Sequence, residues 1–113
     1  KFENASLATL KTDIYKRQEN ALSTINNSDI YNYKLKDEVE EGKPDIHIGL
    51  VIGDGYSTPD CIKNDDGTAI DVYAMTSVAW KAIQELSDKN ETLNNRISDL
   101  QSEIDILRRE TTI

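Results

Sequence analysis

The sequence has few of the residue types from which metal centres and disulfide frameworks are built. Its 113 residues include one cysteine, Cys61, and one histidine, His47. One cysteine excludes a disulfide within the chain, and we expect Cys61 to be a small, partly buried apolar group. A zinc site needs several cysteine or histidine ligands, and no paired carboxylates stand at a recognisable catalytic spacing. The sequence therefore predicts no metal and no cofactor.

The sequence also lacks an excess of basic residues and long runs of apolar residues. The formal net charge is -8 at pH 7 and the isoelectric point is about 4.5. Nucleic acid and anionic membranes both require a basic face, so neither is expected as a partner. No apolar run approaches the roughly 20 residues of a membrane helix, and no segment resembles a signal peptide. The chain lacks a starting methionine, and we interpret it as a piece of a longer protein.

Glycine and proline are sparse, and two loops that contain glycine resemble ligand sites. Gly53-Asp54-Gly55 lacks the lysine and the following helix of a phosphate loop, so we predict a turn, with nucleotide binding as the alternative. Residues 64–67 resemble part of a calcium loop. Aligning Gly67 with the glycine of that loop puts Ile62 at the first ligand position, where it cannot coordinate the ion. This segment is therefore predicted to be a turn.

The first 70 residues predict a small unit of mixed secondary structure. Residues 1–27 have a helical pattern, with an apolar stripe over 17–25. Residues 30–70 favour extended structure, with the following assignments: a strand at 31–35, an acidic loop at 37–45, a central strand at 46–52, and a short hairpin that pairs 61–62 with 69–70 around the turn.

A long helix is predicted from Asp71 onwards. Asp71 is a suitable N-cap, and residues 71–83 carry a broad apolar face that can pack on the preceding unit. From 83 to 110 the face narrows to a coiled-coil stripe of alternating a and d positions. The stripe consists of Ile83, Leu86, Asn90, Leu93, Ile97, Leu100, Ile104 and Leu107. Isoleucine at a with leucine at d favours a parallel dimer, and Asn90 sets the register at some cost in stability.

The predicted fold class is α+β and mainly α, with a globular part followed by a helix that forms a parallel coiled coil. We expect residues 1–70 to be the globular part and residues 71–113 to be the long helix. About 37 helical residues would extend roughly 55 Å, which a chain of this size cannot cover by itself. A partner is therefore expected along the stripe.

Six segments in the chain carry a recognisable pattern in a fixed order. They are Ser6-Leu-Ala-Thr-Leu-Lys11-Thr-Asp-Ile14, Asn20-Ala-Leu-Ser-Thr-Ile25, Tyr33-Lys-Leu-Lys36, His47-Ile-Gly-Leu50, Asp66-Gly-Thr-Ala-Ile-Asp-Val-Tyr73 and Lys81-Ala-Ile-Gln-Glu-Leu86. In this order they resemble the C-terminal intramolecular chaperone domain of phage tail spikes, tail fibres and endosialidases, and the type of parent that they resemble most is a phage neck-appendage protein. The resemblance covers nearly the whole chain from Ser6.

The resemblance implies a self-cleaving serine peptidase that acts once. The serine and lysine of the family match Ser6 and Lys11, the scissile bond matches Ser6-Leu7, and His47 matches a position near the processing site. A serine hydroxyl needs a neighbouring base, and serine-lysine pairs are a known solution. Because a free lysine has a pKa of about 10.4, Lys11 must lose water on assembly to act as that base.

The implied function is an intramolecular chaperone that trimerises, registers a phage tail spike or fibre, and is then released. Its partners are two further copies and the upstream β-rich fibre. It would act in the host cytoplasm and, if retained, at the tip of the virion tail. The alternatives are a dimeric adaptor, which follows from the heptad preference alone, and an uncleaved oligomerisation tip, which two departures from the family pattern favour. Leu7 stands where the family has an acidic residue, and residues 1–5 still precede Ser6.

Overall fold

The computed structural model describes residues 3–111. Most of the regular secondary structure in this range is helical. The elements follow the order α1 (Ala21–Asn26), β1 (Tyr31–Tyr33), α2 (Lys36–Glu40), β2 (His47–Gly49) and α3 (Val72–Thr111), with short 3₁₀ turns at Ala8–Leu10 and Asp60–Ile62. One long helix and a small sheet confirm the predicted fold class. Among the described residues, no helix is long and apolar enough to cross a membrane.

Helix α3 begins where the sequence predicts. The Asp71 carboxylate accepts a hydrogen bond from the Ala74 amide at 3.0 Å, which satisfies one donor of the first turn. The helix continues for 40 residues, about 60 Å, and carries Arg108 and Arg109 in its last turn, where positive charge suits the helix dipole. The predicted N-cap and the long helix are both confirmed.

The predicted helix over residues 1–27 is largely wrong. Residues 11–20 are not helical, and α1 starts only after Asn20, whose side chain caps the Ser23 amide at 2.8 Å. Asp13 has a φ of 53°, a left-handed conformation that interrupts any helix there. Residues 3–20, which we call the arm, are exposed throughout. A helical pattern without a surface to pack on does not stabilise a helix. The beginning of the predicted helix, residues 1–2, lies outside the described residues.

The sheet consists of β1 and β2, which pair antiparallel with Tyr31 opposite Gly49 and Tyr33 opposite His47. Both strands are shorter than predicted, and β2 is not a central strand because it pairs with β1 alone within the described residues. The predicted acidic loop at 37–45 is also corrected. It contains most of α2, since the acidic residues in its first turn suit a helix N-terminus.

The predicted hairpin near residue 65 is confirmed in a reduced form. Lys63 and Ile70 form an isolated antiparallel bridge, and the Asn64 amide donates to the Ala69 carbonyl at 2.8 Å. The predicted first strand of the hairpin, residues 61–62, is instead part of the 3₁₀ turn at Asp60–Ile62. Cys61 within that turn is exposed, which corrects its predicted burial, because the turn points Ile62 rather than Cys61 into the core.

The core is small and joins α3 to the rest of the chain. Ala21 and Ile62 pack with Val78 and Ala82 of α3. Leu22, Leu50, Ile70 and Met75 surround this cluster. The first turns of α3 therefore pack as the apolar face predicts, although Val72 and Ile83 at its two ends stay exposed.

Candidate active site

Ser6 and Lys11 lie in contact at the start of the arm. The Lys11 ammonium group donates to the Ser6 hydroxyl at 2.6 Å and to the Ser6 carbonyl oxygen at 3.2 Å. The 3₁₀ turn at Ala8–Leu10 folds the chain back between them, since it shortens the path from residue 6 to residue 11. One nitrogen therefore touches both the candidate nucleophile and the carbonyl of the predicted scissile bond.

Tyr73 supplies a third polar group at Ser6. Its hydroxyl lies 3.3 Å from the Ser6 hydroxyl, and it stands on the first turn of α3. Sequence analysis did not predict this contact, because 67 residues separate the two side chains. The signal available was the tyrosine at the end of the segment Asp66–Tyr73, which carries part of the family resemblance.

The far end of the arm is fixed to the same helix. Lys81 donates to the Glu19 carbonyl at 2.8 Å, and Glu85 accepts from the amides of Ala21 and Leu22 at 2.8 and 3.2 Å. Lys81 also donates to Glu85 at 2.9 Å. The Glu85 carboxylate thus occupies the N-terminus of α1, and the arm is attached to α3 at both ends.

These contacts change the acidity of Glu85. The hydrogen bond from Lys81, followed by the one from the Ala21 amide, lowers the pKa of Glu85 from 4.5 to about 2. The carboxylate is therefore ionised throughout the neutral range. It is a structural group, because each of its partners belongs to the junction of α1 and α3.

His47 lies in a different local environment. Its Nε2 atom is 2.6 Å from the Glu38 carboxylate, and its ring stacks on Tyr33 with centroids 5.6 Å apart. The hydrogen bonds described for residues 3–111 do not link His47 to Ser6. In a single chain His47 joins α2 to β2, and its role at the processing site stays a prediction.

The coiled-coil stripe is uncovered in the single chain. Its apolar members after Ile83, from Leu86 to Leu107, are between 40 and 59 % exposed. Exposed apolar side chains repeated along one side of a long helix mark an association surface. The coiled coil itself stays a prediction.

Within the described part of the chain, no group of three or more histidine, cysteine, aspartate or glutamate side chains is placed to hold a metal ion. The loop with Gly53 and Gly55 forms a turn in which Tyr56 donates its amide to the Gly53 carbonyl at 3.2 Å. Its positive backbone angles suit glycine, as a turn requires.

Comparison with known proteins gives one family-model match, in the first half of the chain. Residues 7–52 match the family model described as chaperone of endosialidase. The matched range includes Lys11 and His47, and it leaves Ser6 and α3 outside. Neither the search of curated proteins nor that of solved structures gave a match. The family match supports a chaperone role in the assembly of phage tail fibres. Residues 7–52 are therefore similar to the chaperone-of-endosialidase family, which the resemblance predicted.

Proposed function

We propose that this chain is a trimeric intramolecular chaperone that registers a phage tail spike or fibre and releases itself by cleaving the Ser6-Leu7 bond. The observation that carries the proposal is the position of the Lys11 ammonium nitrogen. It lies 2.6 Å from the Ser6 hydroxyl and 3.2 Å from the Ser6 carbonyl oxygen. When the amine is neutral, its lone pair can take the proton of the Ser6 hydroxyl, and its N–H groups can polarise the carbonyl that hydrolysis must attack.

The surface of a single chain supports association. Its accessible area is 9969 Å², whereas a compact monomer of 12.7 kDa exposes about 6,200 Å². Its radius of gyration is 22.5 Å, against about 13 Å for a compact domain of this length. The excess area is larger than the about 800 Å² that a standard interface takes from each partner. A continuous apolar part of this excess area lies along the coiled-coil stripe on α3.

A trimer accounts better than a dimer for the family relationship, although the heptads alone favour two strands. Asn90 is then placed at a three-fold axis, where its amide groups can hydrogen-bond to one another. A buried asparagine sets the register of coiled-coil chains and lowers their stability. Register is what a folding β-fibre needs, because pairing of distant strands is slow until the chains are aligned.

Cleavage is coupled to assembly through Lys11. In the single chain this side chain is exposed to water. Packing of neighbouring copies around the arm would remove water, which favours the neutral amine that a general base must be. Only the assembled chains would then cut efficiently.

The proposed reaction is a hydrolysis. A water molecule is the nucleophile, because attack of the Ser6 hydroxyl on its own carbonyl would need a four-membered ring. The Ser6 hydroxyl takes a proton from that water and passes its own proton to the neutral Lys11 amine. The water oxygen bonds to the Ser6 carbonyl carbon, the bond from that carbon to the Leu7 nitrogen breaks, and Lys11 returns the proton to the leaving amine. The products are a carboxylate at Ser6 and a new N-terminus at Leu7. The Ser6 hydroxyl can also attack the preceding carbonyl through a five-membered ring, and that route would produce a chain starting at Ser6. Product mass separates the two.

The remaining assignments follow from this function. We propose that residues 1–70 hold the end of the upstream fibre and that residues 71–113 clamp the copies together. His47 becomes an orienting group or a donor to the oxyanion when neighbouring copies approach. The site of action is the host cytoplasm during phage assembly, and the tip of the tail for any domain that is retained.

The test measures intact mass and sedimentation of the 113-residue chain. We expect a trimer and, with time, a fragment that begins at Leu7. Ser6→Ala should abolish the fragment while leaving the trimer intact. Leu93→Asp should prevent association and slow cleavage by at least about tenfold, because each aspartate would be buried among apolar residues.

The matched control is Asn95→Asp, which adds the same charge at a solvent-facing f position of the same helix. It should leave mass and sedimentation behaviour unchanged. A trimer that never produces the fragment would favour the uncleaved oligomerisation tip. A Leu93→Asp monomer that cleaves at the normal rate would contradict the coupling of cleavage to assembly.

A further inference from the structure

Tyr73 connects the arm to the helix that carries the association stripe. Its hydroxyl lies 3.3 Å from the Ser6 hydroxyl, while its ring is 50 % exposed on the first turn of α3. The Ser6 hydroxyl therefore lies between an ammonium group and a phenol. Lys11 belongs to the arm itself, so Tyr73 is the partner that fixes Ser6 to α3.

The surface around Tyr73 continues towards the coiled coil. A shallow groove beside residues 3–4 is lined by Val72, Tyr73 and Thr76. The next groove along the helix is lined by Tyr73, Thr76, Ser77 and Trp80. A third runs from Trp80 and Ile83 to Asp88. Trp80 and Ile83 are 69 and 67 % exposed, so this side of α3 is open from the arm to the start of the stripe.

Spacing along the helix puts Tyr73 beside the association face. Thr76 lies one heptad before Ile83 and so takes an a position, and Tyr73 takes the flanking e position. Side chains at e border the interface of a coiled coil and lose water when the helices meet. A second copy of α3 would therefore cover the ring of Tyr73 and, through it, the hydroxyl of Ser6.

We propose that Tyr73 is the positioning residue through which association of α3 controls the reactivity of Ser6. The inference rests on the proposed self-cleavage. Its phenol holds the Ser6 hydroxyl next to Lys11, and helix packing closes the same side of the site. A chain without the Tyr73 hydroxyl keeps Ser6, Lys11 and the association stripe, but holds Ser6 less firmly.

The experiment compares Tyr73→Phe with Tyr15→Phe in the 113-residue chain. Tyr15 lies in the arm itself and is 83 % exposed, so its variant controls for loss of a phenol. We expect Tyr73→Phe to keep the oligomer and to slow formation of the fragment by about fivefold, as loss of one neutral hydrogen bond predicts. Tyr15→Phe should cleave at the normal rate. Equal rates for Tyr73→Phe and the unaltered chain would overturn the inference.

A second measurement separates this inference from the proposed cleavage. Backbone ¹⁵N relaxation reports how tightly residues 6–11 are held, whether or not the chain cuts itself. Tyr73→Phe should increase their mobility, and Tyr15→Phe should not. If no chain cleaves but this difference is found, the proposed function fails while the attachment of Ser6 to Tyr73 stands. Unchanged mobility in Tyr73→Phe would reject the attachment itself.

Discussion

At the scale of single residues, Glu85 shows how one side chain can join two distant segments. Its carboxylate accepts from the Ala21 and Leu22 amides and from Lys81. Two free amides at a helix start are a favourable place for a negative charge, and a charged acceptor makes stronger hydrogen bonds than a neutral one. The short helix α1 has its first turn held by a residue of α3 in addition to its own Asn20 cap.

We predict that Glu85→Gln loosens α1. The neutral amide side chain accepts more weakly and no longer attracts Lys81, so hydrogen exchange at the Ala21 and Leu22 amides should become faster by about tenfold. Glu91→Gln makes the same change on the exposed side of α3 and should leave this exchange unaltered. Nuclear magnetic resonance measures both. Unchanged exchange in Glu85→Gln would show that Asn20 is sufficient.

The same contact should depend on acidity. Because folding lowers the pKa of Glu85 from 4.5 to about 2, its stabilising contribution is present above pH 4.5 and is lost as the pH falls towards 2. Protection of the two amides, measured relative to their intrinsic exchange rate at each pH, should therefore fall in the unaltered chain as the pH drops through that interval. In Glu85→Gln the same change in pH should have no comparable effect on the protection of these amides.

At the scale of elements, α3 was predictable and the arm was not. Asp71 and the heptads are local signals, since a cap acts within one turn and the stripe repeats every seven residues. The prediction of a helix through residues 11–20 is wrong, because a helix there is stable only if it packs on a surface. Residues distant in sequence must provide that surface. The left-handed Asp13 gives no sequence signal beyond the tolerance of aspartate for that conformation.

Some contacts of the candidate site could be predicted from the sequence and others could not. The pairing of Ser6 with Lys11 follows from a resemblance carried by nearby residues, and the structure places the two in contact. The contacts of Ser6 with Tyr73 and of Glu85 with Ala21 join residues more than 60 positions apart. Such contacts depend on how the arm lies along α3, which no periodicity specifies. The Glu38 partner of His47 went unseen because its segment was interpreted as a loop.

We predict that Asp71→Ala destabilises the start of α3. Loss of the side-chain hydrogen bond to the Ala74 amide should cost about 1 kcal/mol, the usual value for an N-cap. Urea unfolding followed by circular dichroism measures it. Asp88→Ala removes an aspartate from an f position in the middle of the helix and should cost less. Equal losses in the two variants would contradict a capping role for Asp71.

At the scale of the whole molecule, the chain exposes more surface than a compact monomer of its size. Among residues 3–111, the buried apolar core consists of Ala21, Ile62, Val78 and Ala82, which is small for a chain of 113 residues. The principal extents are 78, 46 and 30 Å, and α3 accounts for the longest of them. Under the proposed function, a chain with these dimensions would bury further apolar area against other copies.

The expected consequence is stability that depends on concentration. Mass action links folding to association, so the melting temperature should rise with each tenfold increase in chain concentration. Calorimetry at several concentrations checks this. Leu93→Asp should melt at a lower temperature that no longer varies with concentration. A constant melting temperature for the unaltered chain would show that a single copy is the folding unit.

The two attachments of the arm to α3 would make the proposed cleavage irreversible. Tyr73 and Lys81 lie about 12 Å apart along the helix, whereas the arm between them can extend to about 43 Å. Once the Ser6-Leu7 bond is cut, the new amine moves on a long tether fixed at Glu19, and the new carboxylate leaves with the upstream chain. The effective concentration of one end near the other then falls steeply. Slack in the arm would thus make religation negligible, and the release of the fibre would be irreversible.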